Sequence, residues 1–182
     1  MSSFCYQENT PNMWSRCSNY CLLCSISSHL TYGTICWDNA ADTHISRVFI
    51  LQKSAIRAIT LASWQASCRP VFPELKIMTL YAVIIYQNLL FVRNNINTFF
   101  SHSDIHNYNT RHKDNLVPIQ YRLERTKKYY IELYNILPLN FTNQPIDKFK
   151  HALKQMLSNN CLYSLEEFKS IQMEDGGCHC GL

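Results

Sequence analysis

The chain has 182 residues, which is enough for one domain to bury a hydrophobic core of its own. Hydrophobic residues make up 47% of it and charged residues only 16%, which excludes a disordered chain. Only four glycines are present, which argues against β-sandwiches, β-barrels and Gly-rich nucleotide-binding loops. The formal net charge of +4 comes entirely from residues 106–128, where six Lys or Arg stand against two acidic residues. A mainly α-helical fold is the default prediction.

The first 27 residues predict no packed element. They are rich in Ser, Asn and Cys with little apolar periodicity, so we expect a disordered leader, then a helical region over residues 28–168 and a flexible tail over residues 169–182. The leader lacks a basic stretch followed by an apolar one, which disfavours a secretory signal. Together with nine cysteines, an odd number, this predicts free thiols and an intracellular location, cytoplasmic or nuclear.

One group of cysteine and histidine residues has nearly the spacing of a zinc knuckle. Its members are Cys21, Cys24, His29 and Cys36. The position for the fourth ligand holds Thr34, and Cys36 follows two residues late, which a tetrahedral site in so short a loop tolerates poorly. In the tail, the adjacent ligands of Cys178-His179-Cys180 are also poorly placed to close one tetrahedron. We therefore predict no metal and no cofactor.

Residues 44–63 predict an amphipathic helix, with Asp42 and Thr43 as candidate caps. At about 100° per residue, one arc of this helix is apolar, and another carries Lys53 and Arg57 one turn apart. We expect the apolar arc to be buried and the charged arc to stay exposed. The residues of the predicted buried arc are Val48, Leu51, Ala55, Ile59 and Ala62.

After the turn Cys68-Arg69-Pro70, residues 77–92 are apolar nearly all round. This pattern indicates a helix buried on several sides, at the centre of the fold, or a membrane span. The run is shorter than the roughly 20 residues that a span needs, and polar side chains interrupt it, so we predict no membrane insertion. The helix should begin near Leu75 or Thr79 and end at Asn94-Asn95.

Residues 94–116, rich in Asn, His, Ser and Asp, predict a long surface connection that leads into the basic segment. There, cations alternate with Tyr108, Tyr121, Tyr129 and Tyr130, the mixture that neutralises phosphates and stacks on bases. The candidate residues for binding RNA or DNA are Arg111, Lys113, Arg122, Arg125, Lys127 and Lys128, together with Lys53 and Arg57 of the earlier helix. The alternative is a solvated helix face whose tyrosines pack on the core.

Three further helices are predicted. The first spans residues 120–135 and ends before Pro138, Pro145 opens the second, and Ser164 with Glu167 forms a capping box at the start of the third. The apolar face of the second consists of Ile146, Phe149, Leu153, Met156 and Leu157. Tyr163 and Phe168 occupy the staple positions around the capping box. The chain is thus expected to form a small helical domain of about five helices with long loops and loose tails.

No catalytic constellation is found in the sequence. Polymerases and nucleases need two or three clustered carboxylates to hold divalent metals, whereas the acidic residues here are mostly isolated. The adjacent pairs Glu166-Glu167 and Glu174-Asp175 fit the first turn of a helix and a tail. Nucleophile elbows and His-Glu-x-x-His motifs are absent. We predict that the chain is not an enzyme.

Several blocks of the sequence resemble one family in the same order. Ser28-His29-Leu30-Thr31-Tyr32-Gly33, with Trp37 four residues later, is similar to the Ser-His-x-x-Tyr-Gly-x-x-x-Trp block that follows the palm in jockey-like non-LTR retrotransposon reverse transcriptases. The later blocks are Ile50-Leu51-Gln52-Lys53 with Ala55-Ile56-Arg57, Cys68-Arg69-Pro70 with Phe72 and Leu75-Lys76-Ile77, Tyr108-Asn109-Thr110-Arg111, Tyr134-Asn135 with Leu137-Pro138, Phe149-Lys150 with Leu153-Lys154, and Tyr163 to Phe168.

The resemblance covers residues 25–168 and implies the helical thumb and C-terminal part of such an enzyme, which embraces template and primer. The family's palm binds its catalytic metals through a Tyr/Phe-Ala-Asp-Asp motif, and no Asp-Asp pair occurs in this chain. The resemblance therefore implies a non-catalytic C-terminal fragment that cannot polymerise alone and retains at most nucleic-acid binding. It also assigns His29 and Tyr32-Gly33 to a family block, which removes the zinc interpretation.

Two alternatives remain at this point. The chain could be a remnant or recruited interaction protein, whose apolar surface, once packed on the missing palm, now self-associates or binds a partner. A small membrane protein built on residues 77–92 is the third hypothesis.

Overall fold

The computed structural model describes residues 13–38, 40–105, 108, 113–118 and 125–175. Over these ranges the chain is mainly helical and has no strand apart from an isolated antiparallel bridge between Ser101 and Leu116, which confirms the predicted fold class. The α-helices are α1 (Met13–Thr31), α2 (Thr34–Trp37), α3 (Asp42–Thr60), α4 (Val71–Glu74), α5 (Leu80–Asn94), α6 (His102–Ile105), α7 (Arg125–Ile136), α8 (Leu139–Thr142), α9 (Ile146–Asn159) and α10 (Leu165–Asp175). A 3-10 turn, Ile96–Thr98, follows α5.

Helix α5 is the centre of the fold, as its uniformly apolar sequence predicts. It contacts α1, α2, α3, α7 and α9. Its buried residues are Leu80, Ala82, Val83, Ile84, Ile85, Asn88, Leu89, Leu90 and Val92. The side chain of Thr79 accepts a hydrogen bond from the Ala82 amide at 3.2 Å, which caps the first turn. In the described part of the chain, no helix combines the length and the apolar character needed to cross a membrane.

Helix α3 is present, but its buried face is rotated away from the predicted arc, whose residues are half-buried except for Leu51. The buried residues are Ile45, Phe49, Gln52 and Ile56. Leu51 is 68% exposed instead. The reason is Gln52: its amide nitrogen donates to the Met78 carbonyl at 3.0 Å, and its oxygen accepts from the Leu80 amide at 2.8 Å. A polar side chain is tolerated in the core because both of its hydrogen-bonding groups have partners there.

The prediction that residues up to 27 contain no packed element is wrong for its second half. Helix α1 begins at Met13, crosses the expected boundary at residue 27, and contacts α3 and α5. Its Ser- and Cys-rich sequence has no pronounced apolar stripe, and Leu30 near its C-terminal end packs on the core. Periodicity alone therefore missed it, since a sequence with no apolar stripe gives no helical signal.

The C-terminal helices follow their local signals. In α9, Phe149, Leu153 and Leu157 are buried on the predicted apolar face. At the start of α10, the Ser164 hydroxyl accepts from the Glu167 amide at 3.3 Å. The Glu167 carboxylate reaches back to the Tyr163 amide at 2.8 Å, one residue before the position that a standard capping box uses. The capping signal is confirmed with this change of partner.

The predicted surface connection after α5 is tied down at its far end. The Leu116 amide donates to the Asn135 side-chain oxygen at 2.9 Å, and the Asn135 side-chain nitrogen donates to the Leu116 carbonyl at 2.8 Å. The Asn135 side chain of α7 thus bonds both backbone groups of Leu116, as a neighbouring strand would do in a sheet. This contact, with the bridge from Ser101, fixes the entry into the basic segment.

Candidate functional site

The basic segment lies partly within the described residues. Lys113 is exposed, in the turn beside the Ser101 bridge, and Tyr108 is exposed as well. For Arg125, Lys127 and Lys128 the structure describes the helical backbone at the start of α7. Two more of the predicted nucleic-acid-binding residues, Arg111 and Arg122, lie outside the described residues, as does Tyr121.

Two tyrosines of the basic segment pack on the protein core instead of facing a ligand. Tyr130 is only 2% exposed, and its ring meets that of Tyr129 edge to face, with the ring centroids 5.8 Å apart. The ammonium group of Lys169 lies 4.3 Å from the centre of the Tyr129 ring, so α10 occupies that face. For these two residues the alternative interpretation, tyrosines that pack on the core, is the correct one.

Burial also keeps these hydroxyls neutral. It raises the pKa of Tyr129 to about 12, with smaller contributions from Glu166 and Glu132. The pKa of Tyr130 is raised by burial first and by the Asp38 carboxylate second. Asp38 is itself buried, and it accepts a hydrogen bond from the Asn88 side chain at 2.6 Å. Buried polar side chains therefore link three elements: Asp38 at the end of α2, Asn88 of α5 and Tyr130 of α7.

The two predicted cations of α3 have partners within the chain. The Lys53 ammonium lies 4.5 Å from the centre of the Phe49 ring and 5.4 Å from that of Tyr163. The Arg57 Nε donates to the Ala66 carbonyl at 3.0 Å and holds the loop after α3. Both side chains are half-buried, so the charged arc of α3 is only partly exposed.

Beside Lys53, a second cation stacks on Tyr163. The guanidinium of Arg69 lies 4.7 Å from the centre of that ring and binds the Glu167 carboxylate at 2.6 Å. The pKa of Arg69 is raised by this hydrogen bond, and burial raises the pKa of Tyr163 to about 12. These contacts join α3 and the turn before α4 to the start of α10 and leave the face of Tyr163 occupied.

A surface that sequence reasoning missed lies on the other side of α3. We call it the outer face of α3 and define it by four large apolar side chains that are more than half exposed. These are Ile50 at 57%, Leu51 at 68%, Leu61 at 92% and Trp64 at 79%. A groove of about 700 Å3 runs along it, lined by Ile50, Ser54, Arg57, Ala58, Leu61, Ala62 and Trp64. The helical periodicity of α3 predicts that Leu51 is buried, and for this reason the sequence does not indicate an exposed apolar face here.

A second groove, of about 480 Å3, lies between α1, the segment before α5, and α5 itself. Its walls are mainly apolar, with Leu30, Met78 and Val83 among them. Lys76 and Lys154 line it as well, and both are exposed.

Among the described residues, no group of three or more His, Cys, Asp or Glu side chains is placed to hold a metal ion. Cys21, Cys24 and Cys36, the cysteines of the near-knuckle, are exposed free thiols.

Comparison with known proteins returned nothing. No family model, no curated protein and no solved structure matches this chain.

The first block of the family resemblance has a structural explanation of its own. Gly33 joins α1 to α2 with a φ of 62°, in the left-handed region where glycine avoids a steric penalty. The indole nitrogen of Trp37 then donates to the Tyr32 carbonyl at 3.0 Å. The Tyr-Gly-x-x-x-Trp spacing therefore forms a tight turn between α1 and α2, both of which pack on α5.

Proposed function

We propose that this chain is a non-catalytic helical fragment of reverse-transcriptase descent that binds RNA or DNA through the basic segment around the start of α7. The ordered sequence blocks motivate the descent, and the helical fold is compatible with a thumb. The observation that carries the binding proposal is the exposure of Lys113 and Tyr108 next to a segment rich in further cations. Exposed cations and an exposed ring suit phosphate and base contacts.

Binding is tested with a labelled RNA/DNA hybrid and the full chain, by fluorescence anisotropy at several salt concentrations. The test variant is R125Q/K127Q/K128Q, and the matched control is K76Q/K148Q/K154Q, which removes the same charge from exposed sites elsewhere. If three phosphate contacts are lost, the slope of log affinity against log salt falls by about 2 to 3 in the test variant only. Absence of binding at low ionic strength, or equal loss in both variants, refutes the proposal.

A second candidate function is favoured by the outer face of α3. In this alternative the chain is an interaction protein that uses exposed apolar surface to self-associate or to bind another protein. The supporting observation is the exposure of Leu61 and Trp64 on one groove. If the face is an interface, Trp64→Ser changes the association state or abolishes partner binding without unfolding the chain. Sedimentation velocity and circular dichroism measure the two effects.

A further inference from the structure

We infer that the outer face of α3 docks an amphipathic helix of another protein, whose apolar side chains fill the groove and whose flanking side chains are acidic. The inference rests on the second candidate function and assigns the chemistry of the partner.

The shape of the groove fits a helix. Ile50, Ser54, Ala58 and Leu61 follow one another at spacings of four, four and three residues, so they form one line along α3. Ser54 and Ala58 are small and leave the centre of the line open, while Ile50 and Leu61 are large and exposed at its ends. A helix with apolar side chains at i, i+4 and i+7 presents the complementary ridge.

Leu61 is unfavourable for the isolated chain in two respects. It ends α3 with a φ of 53° and a ψ of 27°, in the left-handed region that normally takes glycine at this position. It is also 92% exposed, so its side chain gains almost nothing from burial within the chain. Residues that break a local rule in this way concentrate at functional sites. A partner that covers Leu61 accounts for both features.

Trp64 adds an anchor at one end of the groove. It is 79% exposed, although tryptophan is among the residues that contribute most when buried at protein interfaces. The loop that carries it is held to α3 by the hydrogen bond from Arg57 to Ala66. The ring is thus presented on a loop that is already positioned, which lowers the entropic cost of docking.

Charge selects the kind of partner. Arg57 lines the groove, Arg47 is exposed one turn before Ile50, and no acidic residue is in the lining. The other two cations of this region already have partners: Lys53 lies over the Phe49 and Tyr163 rings, and Arg69 binds Glu167. A symmetric pairing of two copies through this face would bring equal charges together, which disfavours self-association. Nucleic acid is disfavoured because Trp64 is the one aromatic ring in the lining, and the aliphatic side chains beside it neither neutralise phosphates nor stack on bases. An acidic amphipathic helix complements both the apolar line and the flanking cations.

The test uses the full chain and two fluorescein-labelled model peptides of about four helical turns. Both have leucines at i, i+4, i+7 and i+11; one has glutamates on the flanks, and the other has lysines at the same places. Anisotropy titrations should give at least about tenfold tighter binding of the glutamate peptide. Trp64→Ala should weaken that binding about tenfold or more, and Tyr32→Ala, which removes an exposed ring elsewhere, should leave it unchanged.

Leu61→Gly separates binding from folding. Glycine suits the left-handed position, so this variant stays folded and should still lose about tenfold or more in affinity for the glutamate peptide. Equal binding of both peptides, or unchanged binding by Leu61→Gly and Trp64→Ala, overturns the inference.

The failure of the inference and the failure of the second candidate function have different signatures. A concentration-dependent dimer that Trp64→Ala dissociates means that the occupant is a second copy; the interaction function then stands and the acidic helix is wrong. Binding of RNA or of anionic vesicles that Trp64→Ala abolishes also overturns the inference. A monomer that binds neither peptide removes both.

Discussion

The prediction that tests the fold most directly concerns Gln52, the polar residue in the buried arc of α3. Its side-chain amide joins the Met78 carbonyl and the Leu80 amide, at 3.0 Å and 2.8 Å, and Leu80 is fully buried. Gln52→Leu keeps the approximate size of the side chain but removes both hydrogen bonds. Each buried backbone group left without a partner costs about 1 to 3 kcal/mol.

The expected loss in the free energy of unfolding is about 3 kcal/mol, because the half-buried Met78 carbonyl regains part of its bonding from water while the Leu80 amide does not. For a chain of this size, that loss lowers the melting temperature by about 6 to 12 °C. Urea denaturation followed by circular dichroism measures the first quantity, and a thermal scan measures the second.

The matched control is Gln65→Leu, which makes the same chemical change at an exposed position in the loop after α3. It should alter the free energy of unfolding by less than about 0.5 kcal/mol. If Gln52→Leu behaves like Gln65→Leu, the Gln52 amide does not hold α3 to the start of α5, and the explanation given for the orientation of α3 is wrong.

Three further predictions concern packing, backbone strain and pH. Phe149→Ala, which empties a fully buried site beside the Phe141 ring at 5.7 Å, should cost about 3 to 5 kcal/mol in urea denaturation, and a loss below about 1 kcal/mol would contradict the placement of α9 in the core. Lys76→Gly, at a φ of 54°, should raise the free energy of unfolding by about 0.5 to 1 kcal/mol, whereas a clear loss would show that the left-handed turn after α4 is not strained. Because burial raises the pKa of Tyr163 to about 12 from an unfolded value near 10, the neutral ring stabilises the fold fully below pH 10, and this contribution is lost as the pH rises from about 10 to 12. The titration of Tyr163 is isolated as the difference in tyrosinate absorbance between the folded chain and its Tyr163→Phe variant. A difference that develops near pH 10, as in the unfolded chain, would refute the burial of this hydroxyl.

Local sequence patterns predict five of the helices, α3, α5, α7, α9 and α10, with their approximate bounds. The uniformly apolar run of α5, the apolar stripe of α9 and the cap of α10 each depend on residues within one or two turns of each other. Such signals are readable from the sequence, because helix period and cap chemistry act between neighbours in the chain. The same reasoning has no access to residues whose environment is set by distant segments.

For the candidate sites, the sequence located the basic segment but not the surroundings of its side chains. Their alternation with cations suggests that Tyr129 and Tyr130 stack on bases, whereas the structure packs them on the core. Helical periodicity predicts that Lys53 and Arg57 lie on an exposed charged arc, whereas the structure gives them partners, the Tyr163 ring and the Ala66 carbonyl. Whether an aromatic ring or a cation meets solvent depends on which element covers it.

The sequence by itself determined that this chain is helical, that α5 is its centre, and that its positive charge lies in one segment. Only the tertiary structure decided which side of α3 is buried. A periodicity count scores Gln52 as polar and turns the apolar arc toward Leu51, whereas two hydrogen bonds to residues 26 and 28 positions later satisfy Gln52 in the core. That rotation is what exposes the apolar line from Ile50 to Leu61, on which the proposed docking site depends.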